Sequence, residues 1–109
     1  MTEMNQKLER IVVEVRDGDG VTVKNAFNGV WLAKQHRTRM ACLSVARTLT
    51  GFAVYTELDT TGHALLNFFD TFDEVKTDLL DTSDEDEVSE LLAVVSKAVG
   101  EEYVVEHDW

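Results

Sequence analysis

The sequence predicts an α+β fold: an antiparallel β-meander of about five to seven strands, two C-terminal helices packed on one face, and a closing C-terminal strand. Three observations carry this expectation. Apolar and polar residues alternate through the first two thirds of the chain, and short turns bearing Gly, Asp and Thr separate the alternating runs. After Thr71 the apolar period changes from two to about 3.6.

The elements follow in order. Residues 1–9 are polar and read as a frayed lead-in. From Arg10 to Arg16, Ile11, Val13 and Val15 fall on one face and Val12, Glu14 and Arg16 on the other, the pattern of a half-buried strand. Asp17-Gly18-Asp19-Gly20 is a turn, and Val21 to Phe27 is the return strand. The Asn28-Gly29 dipeptide is a strong hairpin signal, so Val30 to Gln35 is expected to fold back antiparallel. Arg39 to Thr48 is ambiguous between strand and helix, with the alternation of Ala41, Leu43 and Val45 favouring a strand. Phe52 to Leu58 and His63 to Phe69 complete the meander across the Asp59-Thr60-Thr61-Gly62 turn.

The helical part begins at a capping box. Thr71 can accept an orphan backbone N–H, and Glu74 can reach back toward the cap. Phe72, Val75, Leu79 and Leu80 then share one face of a helix of about ten residues. A second helix starts near Glu85 on Val88, Leu91, Leu92, Val95 and Val99, with Gly100 placed to end it. Glu102 to Glu106, centred on Tyr103, Val104 and Val105, reads as a strand returning to the sheet. The 109 residues form one domain, long enough for a single core, with no proline and no repeat.

Composition narrows the function classes. No apolar run has the ~18 residues a membrane helix needs, and no secretory signal pattern opens the chain. Cys42 is the only cysteine, which rules out an internal disulfide and fits a reducing, cytoplasmic setting; within a strand it reads as a small buried hydrophobe. The net charge of −11 is unevenly placed. Residues 1–56 hold 8 Lys/Arg against 5 Asp/Glu, whereas residues 57–109 hold 2 against 16. Such polarity favours a protein partner with a basic surface, or head-to-tail association into a homo-oligomer.

Catalytic and metal signatures are missing from the pattern. His36, His63 and His107 stand in separate segments without ligand spacing, and no second cysteine can complete a zinc site. His107-Asp108 lacks a nominated nucleophile, and no serine sits in a G-x-S-x-G turn. Asp81 to Glu90 lacks the glycine and carboxylate spacing of an EF-hand. The expectation is a chain with no cofactor, no metal and no enzymatic activity.

Two charged clusters remain. Lys34, Arg37 and Arg39 are too few, in too acidic a chain, for direct nucleic-acid binding; they are better placed to pair with acidic helices in the same chain or in a second copy. Asp73, Asp81, Asp84, Glu85, Asp86, Glu87 and Glu90 form the candidate acidic face. They either solvate the helices, bind a basic partner, or, together with Asp70, Glu74 and Asp78, imitate a phosphate backbone, as small phage-type inhibitors of restriction or CRISPR effectors do. Trp31 and Trp109 are the candidate aromatic contacts, on the ground that aromatics concentrate interface energy.

From Phe27 onward the order of motifs resembles the EXLDI family of small bacterial proteins. The matching pieces are Phe27-x-Gly29-x-x-Leu32-Ala33, Arg47-Thr48-x-x-Gly51-Phe52-Ala53-Val54-Tyr55 and Phe69-Asp70-Thr71-Phe72-Asp73-Glu74-Val75. They continue with Leu91-Leu92-x-x-Val95-x-x-Ala98-Val99-Gly100 and close at Val105-Glu106-His107-Asp108-Trp109. The signature's last three residues, Leu-Asp-Ile, stand here as His107-Asp108-Trp109, and its first Glu as Val105. The resemblance implies a similar fold and a bacterial-type setting, and it brings no catalytic residue. The leading expectation from the sequence is therefore a small acidic, non-catalytic interaction or regulatory module, with the nucleic-acid mimic as the alternative.

Overall fold

The computed structural model of the protein describes residues 8–100. Five strands are followed by two helices: β1 (Glu9–Arg16), β2 (Thr22–Arg37), β3 (Ala41–Thr48), β4 (Phe52–Leu58), β5 (Ala64–Phe69), α1 (Phe72–Thr82) and α2 (Glu85–Val99). All pairings are antiparallel, and the order β1-β2-β3-β4-β5 closes on itself through a single pair, Arg16 with Ala64. The expected open meander is thus corrected to a closed five-stranded barrel. The expected closing strand, Glu102 to Glu106, lies outside the described residues, as do His107 and Trp109.

The difference originates in β2. Instead of turning at Asn28-Gly29, the chain continues as one 16-residue strand. Its first part pairs with β1 and its second with β3, and Gly29 pairs on both sides, with Glu9 and with Thr48. The glycine is needed for close approach, since a Cβ there would lie 2.7 Å from the Arg47 carbonyl oxygen. The curl that a hairpin would have interrupted is supplied further on. Register shifts fall between Trp31 and Ala33 and between Ala33 and His36, and Gln35 takes a φ of 57°. Irregularities of this kind bend a strand and let a sheet turn on itself. Gln35 N–H, freed from the regular ladder, donates to the buried Ser44 Oγ at 2.9 Å.

Alternation then assigns two faces to each strand. Leu43 and Val45 of β3, with Phe52 and Val54 of β4, point outward and are buried under the helices against Val75, Leu79, Leu91, Leu92 and Val95. Their neighbours Ser44, Ala46, Ala53 and Tyr55 point inward. Along the register Trp31–Ala46 and Ala53–Phe68, two alanines with no exposed surface stand between two aromatics. These small residues leave room for Phe27 to meet Phe68 edge-on at 5.6 Å and Trp31 at 6.2 Å. Residues 41–48, ambiguous by pattern, are a strand because both their faces are buried, one in the barrel and one under the helices.

Helix α1 begins at Thr71, whose Oγ1 accepts from Glu74 N–H at 3.1 Å. Glu74 Oε1 in return accepts from Asp70 N–H at 2.9 Å, one residue ahead of the cap. Helix α2 ends at Gly100 in the left-handed conformation, φ 75°. Among the described residues no helix is long and apolar enough to cross a membrane.

Candidate functional site: an acid-rimmed groove beside the helix link

Where the α1–α2 link crosses the outer face of the barrel, it leaves a groove of about 640 Å³. The floor is the outward face of three strands, represented by Leu43, Thr56, Leu58 and Leu65. One wall is the second half of α1 through Asp84; the other is the β2–β3 turn, with Arg39 and Met40, facing Glu87 of α2. The groove is therefore apolar below and acidic at the rim.

The turn that forms one wall is rigidly held. Thr38 N–H donates to Ala41 O at 2.9 Å, and Ala41 N–H donates to Thr38 Oγ1 at 3.1 Å. Asp59 N–H meets Met40 O at 3.0 Å, fastening the turn to the end of β4. Arg39 and Met40 are pushed outward as a result, and Met40 is 56% exposed. With Leu65, 41% exposed, it gives the groove two large apolar side chains open to water.

Helix α2 is docked against this turn by polar contacts. His36 Nε2 lies 2.7 Å from Glu87 O, and since a carbonyl only accepts, this nitrogen carries the hydrogen. Arg39 backbone N–H donates to Glu87 Oε2 at 2.6 Å, while the Arg39 guanidinium stands 3.4 Å from Asp84 Oδ2 and 3.8 Å from Glu87 Oε2. Asp84 occupies the N-cap position of α2 but makes no side-chain cap bond. Its carboxylate turns to Arg39 instead.

The remaining wall carries Asp78 and Asp81. Asp78 is half-buried, and burial raises its carboxyl above the ordinary range, with the neighbouring Asp81 charge adding to the rise. No cation among the described residues forms an ion pair with either carboxylate. The groove residues include no histidine, cysteine or serine–base pairing, and no acidic or histidine cluster among the described residues has metal-holding geometry.

The sequence-predicted residues divide accordingly. Arg39, Asp81, Asp84 and Glu87 meet at the groove. Asp73 lies at the opposite end of α1, 3.4 Å from Lys76. Glu85, Asp86 and Glu90 are exposed on α2 and make no ion pair among the described residues. Arg37 forms a forked pair with Asp59, which holds that carboxyl below its ordinary value. Lys34 Nζ sits 5.8 Å from the centre of the Trp31 ring, and Trp31 belongs to the half-exposed aromatic group with Phe27 and Phe68 rather than to the groove. Cys42 is half-buried with a free thiol.

Sequence reasoning missed Met40 and Leu65, and it counted Asp78 only among the carboxylates of a phosphate-mimicking surface. Asp78 and Asp81, three residues apart on one helix, were a readable signal of a shared face. Nothing local marked Met40 and Leu65 as exposed parts of one groove, because they come from the β2–β3 turn and from β5, two strands apart in the barrel. Comparison of the chain with protein-family models, with curated proteins and with solved structures finds no match.

Proposed function

We propose that this protein is a non-catalytic interaction module whose acid-rimmed groove takes a basic, amphipathic segment of a protein partner. The observation that carries the reading is the coincidence of exposed apolar side chains, Met40 and Leu65, with the carboxylates Asp78, Asp81 and Asp84 around one groove. An amphipathic segment with apolar residues on one face and Arg or Lys on the other satisfies both demands at once. Its apolar face removes the two side chains from water, and its cations meet Asp78 and Asp81, which form no ion pair among the described residues, beside Asp84. The strongly acidic second half of the chain would add long-range attraction, felt mainly in the association rate.

Arg39 bears on the alternative. Here a guanidinium sits between Asp84 and Glu87 and reduces the negative charge that a phosphate mimic would present at this end of the helices. The motif likeness to the EXLDI family adds a bacterial-type setting to this reading and no site residue. A cytoplasmic location fits the lone, free Cys42.

The test is binding of a short fluorescent peptide of Leu and Arg in amphipathic helical order, followed by anisotropy. Asp81→Asn should weaken binding by about 3-fold, the scale of an exposed ion pair, and Met40→Ser should weaken it as well. Glu85→Gln and Glu90→Gln, which remove exposed charges outside the groove, should matter less. Equal losses at Asp81, Glu85 and Glu90, with Met40→Ser binding as tightly as the unaltered protein, would mean that overall charge alone attracts the peptide, and the groove reading would fail.

A further inference from the structure

We infer that Arg39 is an internal competitor for the groove: its guanidinium occupies the anionic end that a partner's cation must take, so binding proceeds by its displacement. This rests on the groove reading above and specifies how the groove is entered. The geometry points this way on three counts.

The guanidinium is held, but loosely. Its contacts to Asp84 and Glu87, at 3.4 and 3.8 Å, are at the long end for ion pairs, and the Arg39 side chain is 73% exposed. Exposed pairs of this kind contribute little and exchange readily with another cation. The Arg39 backbone, by contrast, is fixed by its 2.6 Å bond to Glu87 and by the turn around it. The side chain can therefore leave without dismantling the docking of α2. Finally, Asp84 has given up its capping role to face Arg39, so the carboxylate is already aimed at a cation on the rim. A forked guanidinium from a partner reproduces the contact with both carboxylates, which a lysine does less well. The recognised group is accordingly an arginine side chain flanked by apolar residues.

The experiment uses the full chain and the same Leu/Arg peptide, with Arg39→Gln and Arg39→Lys compared to the unaltered protein. Arg39→Gln should tighten binding by about 5-fold, because the competing cation is gone, and Arg39→Lys should give an intermediate gain. Lys24→Gln, which changes net charge equally on the distant end of β2, should leave the affinity within about 1.5-fold. A peptide with Lys in place of Arg should gain less from Arg39→Gln. Thermal melting of each variant verifies that the fold is retained, and the Arg39→Lys arm keeps the proposal testable if Arg39→Gln does not fold. Binding that is unchanged or weaker in Arg39→Gln, while still lost in Asp81→Asn, would overturn the competitor role and keep the groove. Equal tightening by Lys24→Gln would reduce the effect to net charge and also overturn it. Binding that is absent in every variant would remove the groove reading itself.

Discussion

The hydroxyl of Tyr55 on β4 donates to the backbone carbonyl of Glu14 on β1 at 2.6 Å. These strands are not neighbours; β5 lies between them, and β5 pairs with β1 only at Ala64 and Arg16. The side-chain bond therefore reinforces the seam where the barrel is most weakly joined. Burial, with the nearby Glu57 and Glu14 charges, raises the Tyr55 phenol above its ordinary value.

Tyr55→Phe should cost about 0.5–1.5 kcal/mol, the net worth of one such bond, measured by urea unfolding. Because the folded phenol has the higher pKa, ionising it is harder in the folded state. Stability should fall as pH rises above about 10, and that alkaline loss should shrink in Tyr55→Phe.

Gly51 offers a steric test of the β3–β4 turn. A Cβ there would stand 2.1 Å from Phe69 O, a backbone atom that cannot swing aside. Gly51→Ala should destabilise by about 3 kcal/mol or more, the upper end for overpacking. Gly20→Ala has open space around its Cβ and only its positive φ to resist it, so it should cost about 1 kcal/mol.

Loss of the cap on α1 should be local and moderate. Thr71→Ala removes the acceptor for Glu74 N–H and should cost about 1 kcal/mol, while Thr71→Ser should restore most of it. Because Phe72, Val75 and Leu79 sit in the core just beyond this cap, the same variants should alter amide exchange along α1 before other elements.

Asp78 should leave a pH signature of the opposite kind to a salt-bridged acid. Its folded pKa lies above the ordinary aspartate range, so the folded state binds its proton more tightly than the unfolded chain. Stability from this group is present at low pH and is lost as pH rises through the raised pKa. Asp78→Asn should therefore raise the melting temperature at pH 7 and lose that advantage in acid, as thermal scans across pH would show.

The helices were legible because their signals are local: a cap at Thr71, apolar spacing along each, and a glycine at position 100. The barrel was not. Closure depends on β2 running straight through Asn28-Gly29 and bending later, near Ala33 and Gln35. A dipeptide suited to a tight turn is equally suited to a crowded crossing when a neighbouring carbonyl lies 2.7 Å from the missing Cβ, and sequence does not distinguish these uses. The groove was half legible. Its charges, Arg39, Asp81, Asp84 and Glu87, stood out as clusters, but Met40 and Leu65 join one groove only through the tertiary arrangement of β3, β4 and β5. The acidic residues singled out together also separate in space, with Asp73 at one end of α1 and Asp84 beyond the other.

The central claim is that the groove, and not the acidic surface at large, binds a basic amphipathic segment. Backbone amide shifts recorded while titrating the Leu/Arg peptide into labelled protein test it most directly. The account predicts the largest changes at Arg39, Met40, Leu58, Leu65 and from Asp78 through Asp84, with little at Trp31 or Phe68. Changes centred on Glu85, Asp86 and Glu90 with the groove silent, or no changes at all, would contradict it.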